Sequence, residues 1–242
     1  MSTDELHEMR HSLAHIMAQA VQHLWPKAKF GVGPAIDDGF YYDIDLGGAT
    51  ISEDDFPKIE KEMKKIIAAN YPFERRDVPI EDAIAWAENN HQVFKLELLN
   101  DLKRSGTTVA KELVGEDLGS VTDRDSKLKT VSLYSQGDYT DLCRGGHADS
   151  TGKVGAFKLM RVAGAYWRGD EKRQQMQRLY GVAFATHKEL DDYLKKLELA
   201  KQRDHRKLGK ELDLYTTSPL VGVGLPLFTP RGTILRDVVA QY

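Results

Sequence analysis

The sequence is short of cysteine and of long apolar runs, and each shortage excludes a class of protein. Cys143 is the single cysteine of the 242 residues, so an internal disulfide is excluded and a reducing compartment is favoured. No apolar run approaches the roughly 18 residues of a membrane span, and the polar N-terminus has no signal-peptide core. These observations predict a cytoplasmic protein with no membrane partner.

The sequence also lacks an overall basic charge, although its basic residues are concentrated in two stretches. The net charge is −3, and a chain with 41% apolar and 29% charged residues is typical of a soluble globular protein of one or two domains. Residues 153–178 contain seven Lys or Arg against two acids, and so do residues 195–210. A solvated face is the ordinary explanation of such clusters, and a nucleic-acid contact is the alternative.

Two short segments carry the side chains best suited to catalysis. His11 and His15 are four residues apart, so on a helix both imidazoles leave the same face. That face lies roughly opposite the apolar stripe of the helix, which predicts that it is either solvated or lines a cleft. Cys143 and His147 form a second pair with the same spacing. We expect the two pairs to meet in one site.

The residue types in these pairs allow three kinds of chemistry. His11, His15, Cys143 and His147 are the kinds and number of ligand that bind zinc tetrahedrally. Without a metal, the same groups can act as a general base, as orienting partners and as oxyanion donors. Cys143 as a covalent nucleophile is the third and least favoured alternative.

Local sequence signals predict an α+β fold with antiparallel sheets packed against helices. Capping boxes at Ser2/Glu5 and Thr186/Glu189 begin two of the helices, and Asp38-Gly39 predicts a hairpin. We expect a surface excursion at 104–127 and a long charged helix from 186 to about 212, followed by a loop and a further helix from 233. The predicted strands are 30–33, 40–45, 72–78, 130–134, 139–143, 157–163 and 177–185, and the other predicted helices are 2–25, 52–70, 79–89 and 93–102.

Five motifs occur in the order seen in threonyl-tRNA synthetases, and the chain resembles the editing domain of that family over roughly residues 9–242. The fold implied is that of the threonyl and alanyl editing domains, followed by a linker helix and the start of the class II catalytic domain. The motifs are His11-Ser12-Leu13-Ala14-His15, Gly33-Pro34 with Gly39-Phe40-Tyr41-Tyr42-Asp43, Asp141-Leu142-Cys143-Arg144-Gly145-Gly146-His147, Gly164-Ala165-Tyr166-Trp167-Arg168-Gly169-Asp170 and Arg178-Leu179-Tyr180-Gly181.

The resemblance implies hydrolysis of seryl-tRNA(Thr), the product of mischarging. A site that selects threonine excludes serine poorly, because a missing methyl group changes binding by only about 1–3 kcal/mol. A second site that admits serine and clashes with threonine corrects the error. The alternatives are a non-catalytic tRNA-binding module and a zinc-dependent ester hydrolase like the free-standing alanyl-editing proteins.

The resemblance also assigns roles to individual residues. It places Tyr42 and Asp141 in substrate binding, with Asp141 holding the seryl ammonium group. From the basic stretch we expect tRNA contacts by Lys158, Arg161, Arg168, Lys172 and Arg173. The catalytic set is His11, His15, Lys95, Cys143 and His147, with His11 and Lys95 positioning water and the terminal adenosine near the ester carbonyl.

The chain departs from the family pattern in three ways. The small ubiquitin-like domain that usually comes first is missing, and Gly146 stands where the family usually has proline. The sequence stops inside motif 1, without motifs 2 and 3, so ATP, Mg²⁺ and the catalytic zinc are expected to belong to the rest of a longer enzyme. We expect that enzyme to be a homodimer and this fragment to be a monomer, divided into an editing domain at 1–185, a linker helix at 186–212 and a truncated catalytic domain at 213–242.

Overall fold

The structure, a computed structural model, describes residues 1–106 and 129–242. This part of the chain forms two compact units, Met1–Leu190 and Asp191–Tyr242. The excursion predicted at 104–127 falls almost entirely outside the described residues. Within the described ranges, no helix combines the length and the apolar character needed to cross a bilayer.

The first unit mixes helices with antiparallel strands, as the α+β prediction required. One sheet has the order β1-β3-β8-β7, with β2 paired to β3, and a second has the order β4-β5-β6. All their pairings are antiparallel. The elements in chain order are α1 (Thr3–Leu24), β1 (Lys29–Phe30), β2 (Ala35–Ile36), β3 (Gly39–Asp45), α2 (Phe56–Ala69), β4 (Glu74–Pro79), α3 (Ile80–Asn89), α4 (Val93–Ser105), β5 (Thr130–Gln136), β6 (Tyr139–Leu142), β7 (Ala156–Tyr166) and β8 (Gln175–Phe184).

Helix α1 is buried on more than its apolar stripe. Its predicted capping box is present, since the Glu5 N–H donates to Ser2 Oγ at 3.2 Å and the Ser2 N–H donates to the Glu5 carboxylate at 2.6 Å. From Met9 to Val21 all residues except Arg10 are buried. A helix buried on most sides lies in a core, so the face carrying the histidines is a buried surface of the first unit.

The hairpin predicted at Asp38-Gly39 is present, and strand lengths differ from the prediction at several ends. Strands β2 and β3 pair with Ala35 opposite Phe40. The strand predicted at 30–33 is shorter, because after Phe30 the pairing with β3 becomes irregular. Strands β5, β7 and β8 are longer than predicted, because the antiparallel ladders continue to Gln136 at the end of β5, to Tyr166 at the end of β7 and from Gln175 at the start of β8.

The second unit corrects two predictions. The charged helix does not run unbroken to 212, because it is divided into α5 (His187–Gln202), which starts in the first unit, and α6 (His205–Glu211). Between them, the side chain of Asp204 accepts a hydrogen bond from the Arg206 N–H at 2.8 Å and caps α6. The stretch predicted as a loop contains a hairpin of β9 (Tyr215–Ser218) and β10 (Gly222–Phe228) before α7 (Pro230–Ala240). Pro226 lies next to a register shift in this pair, where a missing N–H is tolerated.

Candidate functional site

Helix α1 contributes two buried imidazoles to the site. His11 is 3% exposed and His15 is 2% exposed, so the solvated-face alternative is excluded. Their rings lie edge to face with centroids 5.0 Å apart. The one-turn spacing in the sequence therefore places both rings side by side in the interior.

The segment after β6 contributes the second pair. Cys143 is buried, and a turn through Gly145 and Gly146 returns the chain so that the His147 ring stacks on that of His11, with centroids 4.2 Å apart. Gly146 has φ +78°, a left-handed conformation that proline cannot adopt. Where the family usually has proline, this chain therefore uses a turn that depends on glycine.

The two pairs meet around the sulfur atom of Cys143. Its Sγ lies 3.4 Å from Nε2 of His11 and 3.3 Å from Nε2 of His147. One potential ligand atom from each of His11, His15, Cys143 and His147 lies within 4.8 Å of the others. His11 and Cys143, which are 132 positions apart in the sequence, thus share one site, as we expected. The chemical roles of the four residues remain predictions.

The environment keeps two of these histidines neutral. Burial, followed by repulsion from His11 and Lys95, lowers the pKa of His15 well below its usual value. Burial, followed by repulsion from His15 and His11, likewise lowers the pKa of His147. A neutral imidazole has one N–H donor and one lone pair, so each ring can both donate and accept a hydrogen bond or bind a metal.

Asp141 is the hub of a buried polar network beside the histidines. Its Oδ1 lies 2.5 Å from Nζ of Lys95, and its Oδ2 accepts a short hydrogen bond from the Tyr42 hydroxyl. Nε2 of His15 is 3.7 Å from the same carboxylate. Burial and the charge of Asp141 raise the pKa of both Tyr42 and Tyr139 well above the usual value, so both phenols stay protonated.

This network changes the role expected for Asp141. We expected its carboxylate to hold the substrate ammonium group, but both of its oxygens already have partners in Lys95 and Tyr42. A seryl ammonium would have to share or displace Lys95. A small polar pocket of about 70 Å³ also borders Lys95 and Asp141, lined in addition by Gln22, Asn90, Gln92 and Thr140 among others.

Local structure explains how Lys95 reaches the site. Its helix α4 follows the N-cap residue Gln92, whose side-chain oxygen accepts from the Phe30 N–H at 3.0 Å and so fixes the start of the helix on β1. Lys95 lies one turn further on, is only 4% exposed and donates to the Tyr42 hydroxyl at 3.1 Å. Glu97, on the opposite side of the same helix turn, accepts from the indole N–H of Trp167 at 3.0 Å.

The donor types of His11, His15, Cys143 and His147, and two of the distances between them, also suit a zinc ion. Tetrahedral zinc with Zn–N near 2.0 Å and Zn–S near 2.3 Å separates its ligand atoms by about 3.3–3.6 Å. The two distances from Cys143 Sγ, 3.4 and 3.3 Å, fall in this range. Nδ1 of His15 is buried without a hydrogen-bond partner. The donor set therefore suits zinc as well as a thiol hydrogen-bonded to imidazole.

Four further residues of the site were not predicted from the sequence. Ser12 and Phe73 contact His147, the first through Oγ at 3.4 Å from Nδ1 and the second by stacking at 4.8 Å. Tyr134 packs on the same ring, and Tyr139 lies against His15. Only Ser12 had a usable signal, because a residue beside His11 on a buried helix must lie near the same cleft.

The five predicted tRNA contacts separate into two groups. Lys158, Arg161, Lys172 and Arg173 are exposed, although Arg173 also lies 2.6 Å from Glu97. The guanidinium of Arg161 lies 4.1 Å over the Tyr180 ring.

Arg168, the fifth predicted tRNA contact, is largely buried against other side chains. Its side chain is 13% exposed, lies 2.5 Å from Asp101 and 3.2 Å from Glu97, and so forms ion pairs with α4. Its backbone has φ +57°, a conformation that non-glycine residues rarely adopt. The geometry assigns Arg168 to the packing of its loop on α4.

Comparison with known proteins agrees with this fold. Residues 131–180, which include Asp141, Cys143 and His147, match the family described as threonyl and alanyl tRNA synthetase second additional domain. The chain is 48% identical over 234 residues to the threonine–tRNA ligase of Anoxybacillus flavithermus, covering 97% of this chain and 33% of that protein. It is 47% identical over 241 residues to threonine–tRNA ligase 1 of Bacillus subtilis, covering 100% of this chain and 34% of that protein.

The fold and the site therefore define an α+β module of the kind shared by threonyl and alanyl tRNA synthetases. Within that class the resemblance to threonyl-tRNA synthetases is confirmed, since nearly the whole chain is homologous to the N-terminal third of threonine–tRNA ligases. The chain spans about a third of the length of these curated relatives.

Proposed function

We propose that this chain hydrolyses the ester bond of mischarged seryl-tRNA(Thr). The observation that carries the proposal is the convergence of His11, His15, Cys143 and His147 in one buried cleft beside the Lys95–Asp141 pair. A hydrolytic site needs groups that orient water next to a cation that stabilises negative charge. The homology to threonine–tRNA ligases supports an aminoacyl-tRNA as the substrate.

In the proposed reaction, water adds to the ester carbonyl carbon and the bond from that carbon to the ribose oxygen breaks. The proton lost by water reaches the ribose oxygen, and the products are serine and tRNA with a free hydroxyl. His15 and His147 have lowered pKa values and are weak bases, so they orient the water as neutral hydrogen-bond partners. The Lys95 ammonium group stabilises the charge that develops on the carbonyl oxygen.

Selection of serine over threonine is proposed to rest on the rigidity of the cleft. The wall formed by α1, β6 and Tyr42 is buried and tied together by the hydrogen bonds of Asp141. A close-packed wall does not yield cheaply to an extra methyl group. Serine esters should therefore be hydrolysed much faster than threonine esters.

The exposed basic residues are proposed to hold the tRNA backbone. Lys158, Arg161 and Lys172 lie on β7 and in the loop after it, and Tyr180 provides an aromatic ring under Arg161. Cationic side chains on phosphates give binding that weakens steeply with salt. For a longer protein containing this chain, we propose the activity in the name of its relatives, ligation of threonine to tRNA(Thr) with ATP, in a cytoplasmic homodimer.

The ligand set favours one alternative, a zinc-dependent ester hydrolase. His11, His15, Cys143 and His147 would hold the ion, which would supply Lewis-acid activation of the ester or of water. We favour hydrolysis without a metal, because Lys95 already provides a buried cation beside the cleft. Full deacylase activity after removal of metal by a chelator supports this view, whereas loss of activity that zinc restores would favour the alternative.

The deciding experiment compares two substrates. The full chain is incubated with seryl-tRNA(Thr) and with threonyl-tRNA(Thr), and loss of the ester is followed over time. We expect rapid loss of the serine ester only. Equal rates on the two substrates would overturn the proposed specificity, and no hydrolysis above the rate in buffer would leave a non-catalytic tRNA-binding module.

A further inference from the structure

The hydrogen bonds around Ser12 bear on which nitrogen of His147 carries the proton. Ser12 is fully buried on α1, one residue after His11. Its Oγ lies 2.8 Å from the carbonyl oxygen of Glu8, 2.9 Å from the Ala148 N–H nitrogen and 3.4 Å from Nδ1 of His147. One hydroxyl group therefore has three polar neighbours and a single proton to give.

The single hydroxyl proton must point to Glu8. Two oxygen acceptors 2.8 Å apart repel each other unless a hydrogen lies between them, so Ser12 donates to the Glu8 carbonyl. The Ala148 N–H donates to Ser12 Oγ. The remaining lone pair of Oγ faces Nδ1 of His147, and an unprotonated Nδ1 would place two lone pairs against each other.

We infer that Ser12 is a positioning residue that fixes His147 as the Nδ1–H tautomer. The other ring nitrogen, Nε2, then carries the lone pair, and it faces Cys143 Sγ at 3.3 Å. His147 presents an acceptor to the centre of the cleft, where the proposed hydrolysis would use it to orient water. The partner of the second nitrogen sets the tautomer of a functional histidine in the same way at many sites.

The packing around the ring supports a single orientation. The His147 ring lies parallel to Phe73, with an interplanar angle of 4°, and also stacks on His11, with an interplanar angle of 30°. Stacking fixes the plane of the ring, and Ser12 decides which nitrogen carries hydrogen.

The first test reads the tautomer directly by ¹⁵N NMR of the full chain labelled at histidine. A His147→Gln variant assigns the resonances. We expect Nε2 of His147 in the parent to show the strong downfield shift of an unprotonated ring nitrogen. In Ser12→Ala the preference should be lost and a mixture of tautomers should appear. A parent in which Nδ1 is the unprotonated nitrogen would overturn the inference, even if Ser12→Ala failed to fold.

A matched control separates positioning from general stability. The hydroxyl of Thr151 is fully buried, donates to the Ile66 carbonyl at 2.9 Å and accepts from the Tyr71 N–H at 2.9 Å, the same pattern as Ser12 without a histidine. Thr151→Val should lower the melting temperature to a similar extent as Ser12→Ala. It should leave the His147 tautomer and the rate of deacylation unchanged.

The second test depends on the proposed function. Ser12→Ala should lower kcat for seryl-tRNA(Thr) about 10- to 100-fold, the usual effect of losing the outer partner of a functional histidine, with little change in KM. An active parent whose Ser12→Ala variant keeps both the rate and the tautomer would overturn the inference and leave the proposed function intact. An inactive parent would overturn the proposed function, and the NMR spectrum would still decide the tautomer.

Discussion

Nζ of Lys95 lies 2.5 Å from Oδ1 of Asp141, and both side chains are nearly inaccessible to solvent. Such a buried pair is maintained because each charge compensates the other. The pair joins α4 to β6 and, through Tyr42, both of them to β3. Its two members therefore serve stability as well as the proposed chemistry.

Removing one member of this pair should destabilise the fold. Asp141→Ala leaves the Lys95 ammonium buried without its carboxylate, and we expect a loss of about 3–5 kcal/mol in the free energy of unfolding. Urea denaturation of the variant and the parent measures it. Lys172→Met, an exposed change, should alter the value by no more than about 0.5 kcal/mol. An Asp141→Ala variant as stable as the parent would show that the Lys95–Asp141 pair contributes nothing to the free energy of unfolding.

His11→Ala should lower hydrolysis of seryl-tRNA(Thr) about 10²- to 10⁴-fold, because it removes a group that orients water. Its position off the apolar stripe predicts little effect on folding, but His11 is buried between Cys143 and His147, so a cavity and some loss of stability are expected. Initial deacylation rates, measured well below the melting temperature, test the effect on activity. His187→Ala, at an exposed position, is the control and should keep full activity. Full activity of His11→Ala would remove His11 from the proposed catalytic set.

The shared orientation of the side chains within each segment was predictable, because spacing alone decides which side chains lie on one face. His11 and His15 must point the same way on any helix, and Asp141 and Cys143 the same way on any extended segment. Burial of the histidines was not predictable, because it depends on the Cys143–His147 segment that covers α1 from far along the chain.

The partners of charged residues were the least predictable part of the site. Nothing in the sequence around Arg168 indicates Asp101, and the same arginine on an open loop would face solvent. In the same way, Asp141 was expected to be open to a ligand, and its pairing with Lys95 arises only where α4 packs beside β6. Ion pairs between distant segments follow from tertiary packing, which local patterns do not encode.

A surface histidine should make stability depend on pH. His23 lies 2.9 Å from Glu62 on α2 and 3.0 Å from Asp138 in the turn after β5. Burial acts to lower the pKa of His23, but hydrogen bonds to Glu62 and Asp138 outweigh it and raise the pKa above 6.5. Hydrogen bonds from Lys65 and then from His23 lower the pKa of Glu62. Burial acts to raise the pKa of Asp138, but hydrogen bonds from His23 and Gln19 outweigh it, so the pKa of Asp138 is also lowered.

The sign of the dependence follows from these directions. Because the folded pKa of His23 is raised, its contribution is fully present below the unfolded value of 6.5 and is lost as pH rises through the folded value. Because the pKa values of Glu62 and Asp138 are lowered, the stability that these two carboxylates contribute is lost as the pH falls through their folded pKa values. His23→Ala should therefore cost more stability at about pH 5.5 than at about pH 9, as measured by urea denaturation at both values. An equal cost at both would contradict the assigned pairs.

Arg161 and Arg168 should respond oppositely to substitution, although both belong to the same basic stretch. Arg161→Glu places a negative charge on an exposed position, so tRNA binding should weaken and the slope of log K against log salt should fall by about 1. Arg168→Met removes a cation paired with Asp101 and Glu97, so the free energy of unfolding should fall. Its affinity for tRNA, measured below the melting temperature, should stay near that of the parent. A strong loss of tRNA binding in Arg168→Met with unchanged stability would restore the phosphate-binding role that the sequence predicted and remove the packing role that the structure assigns.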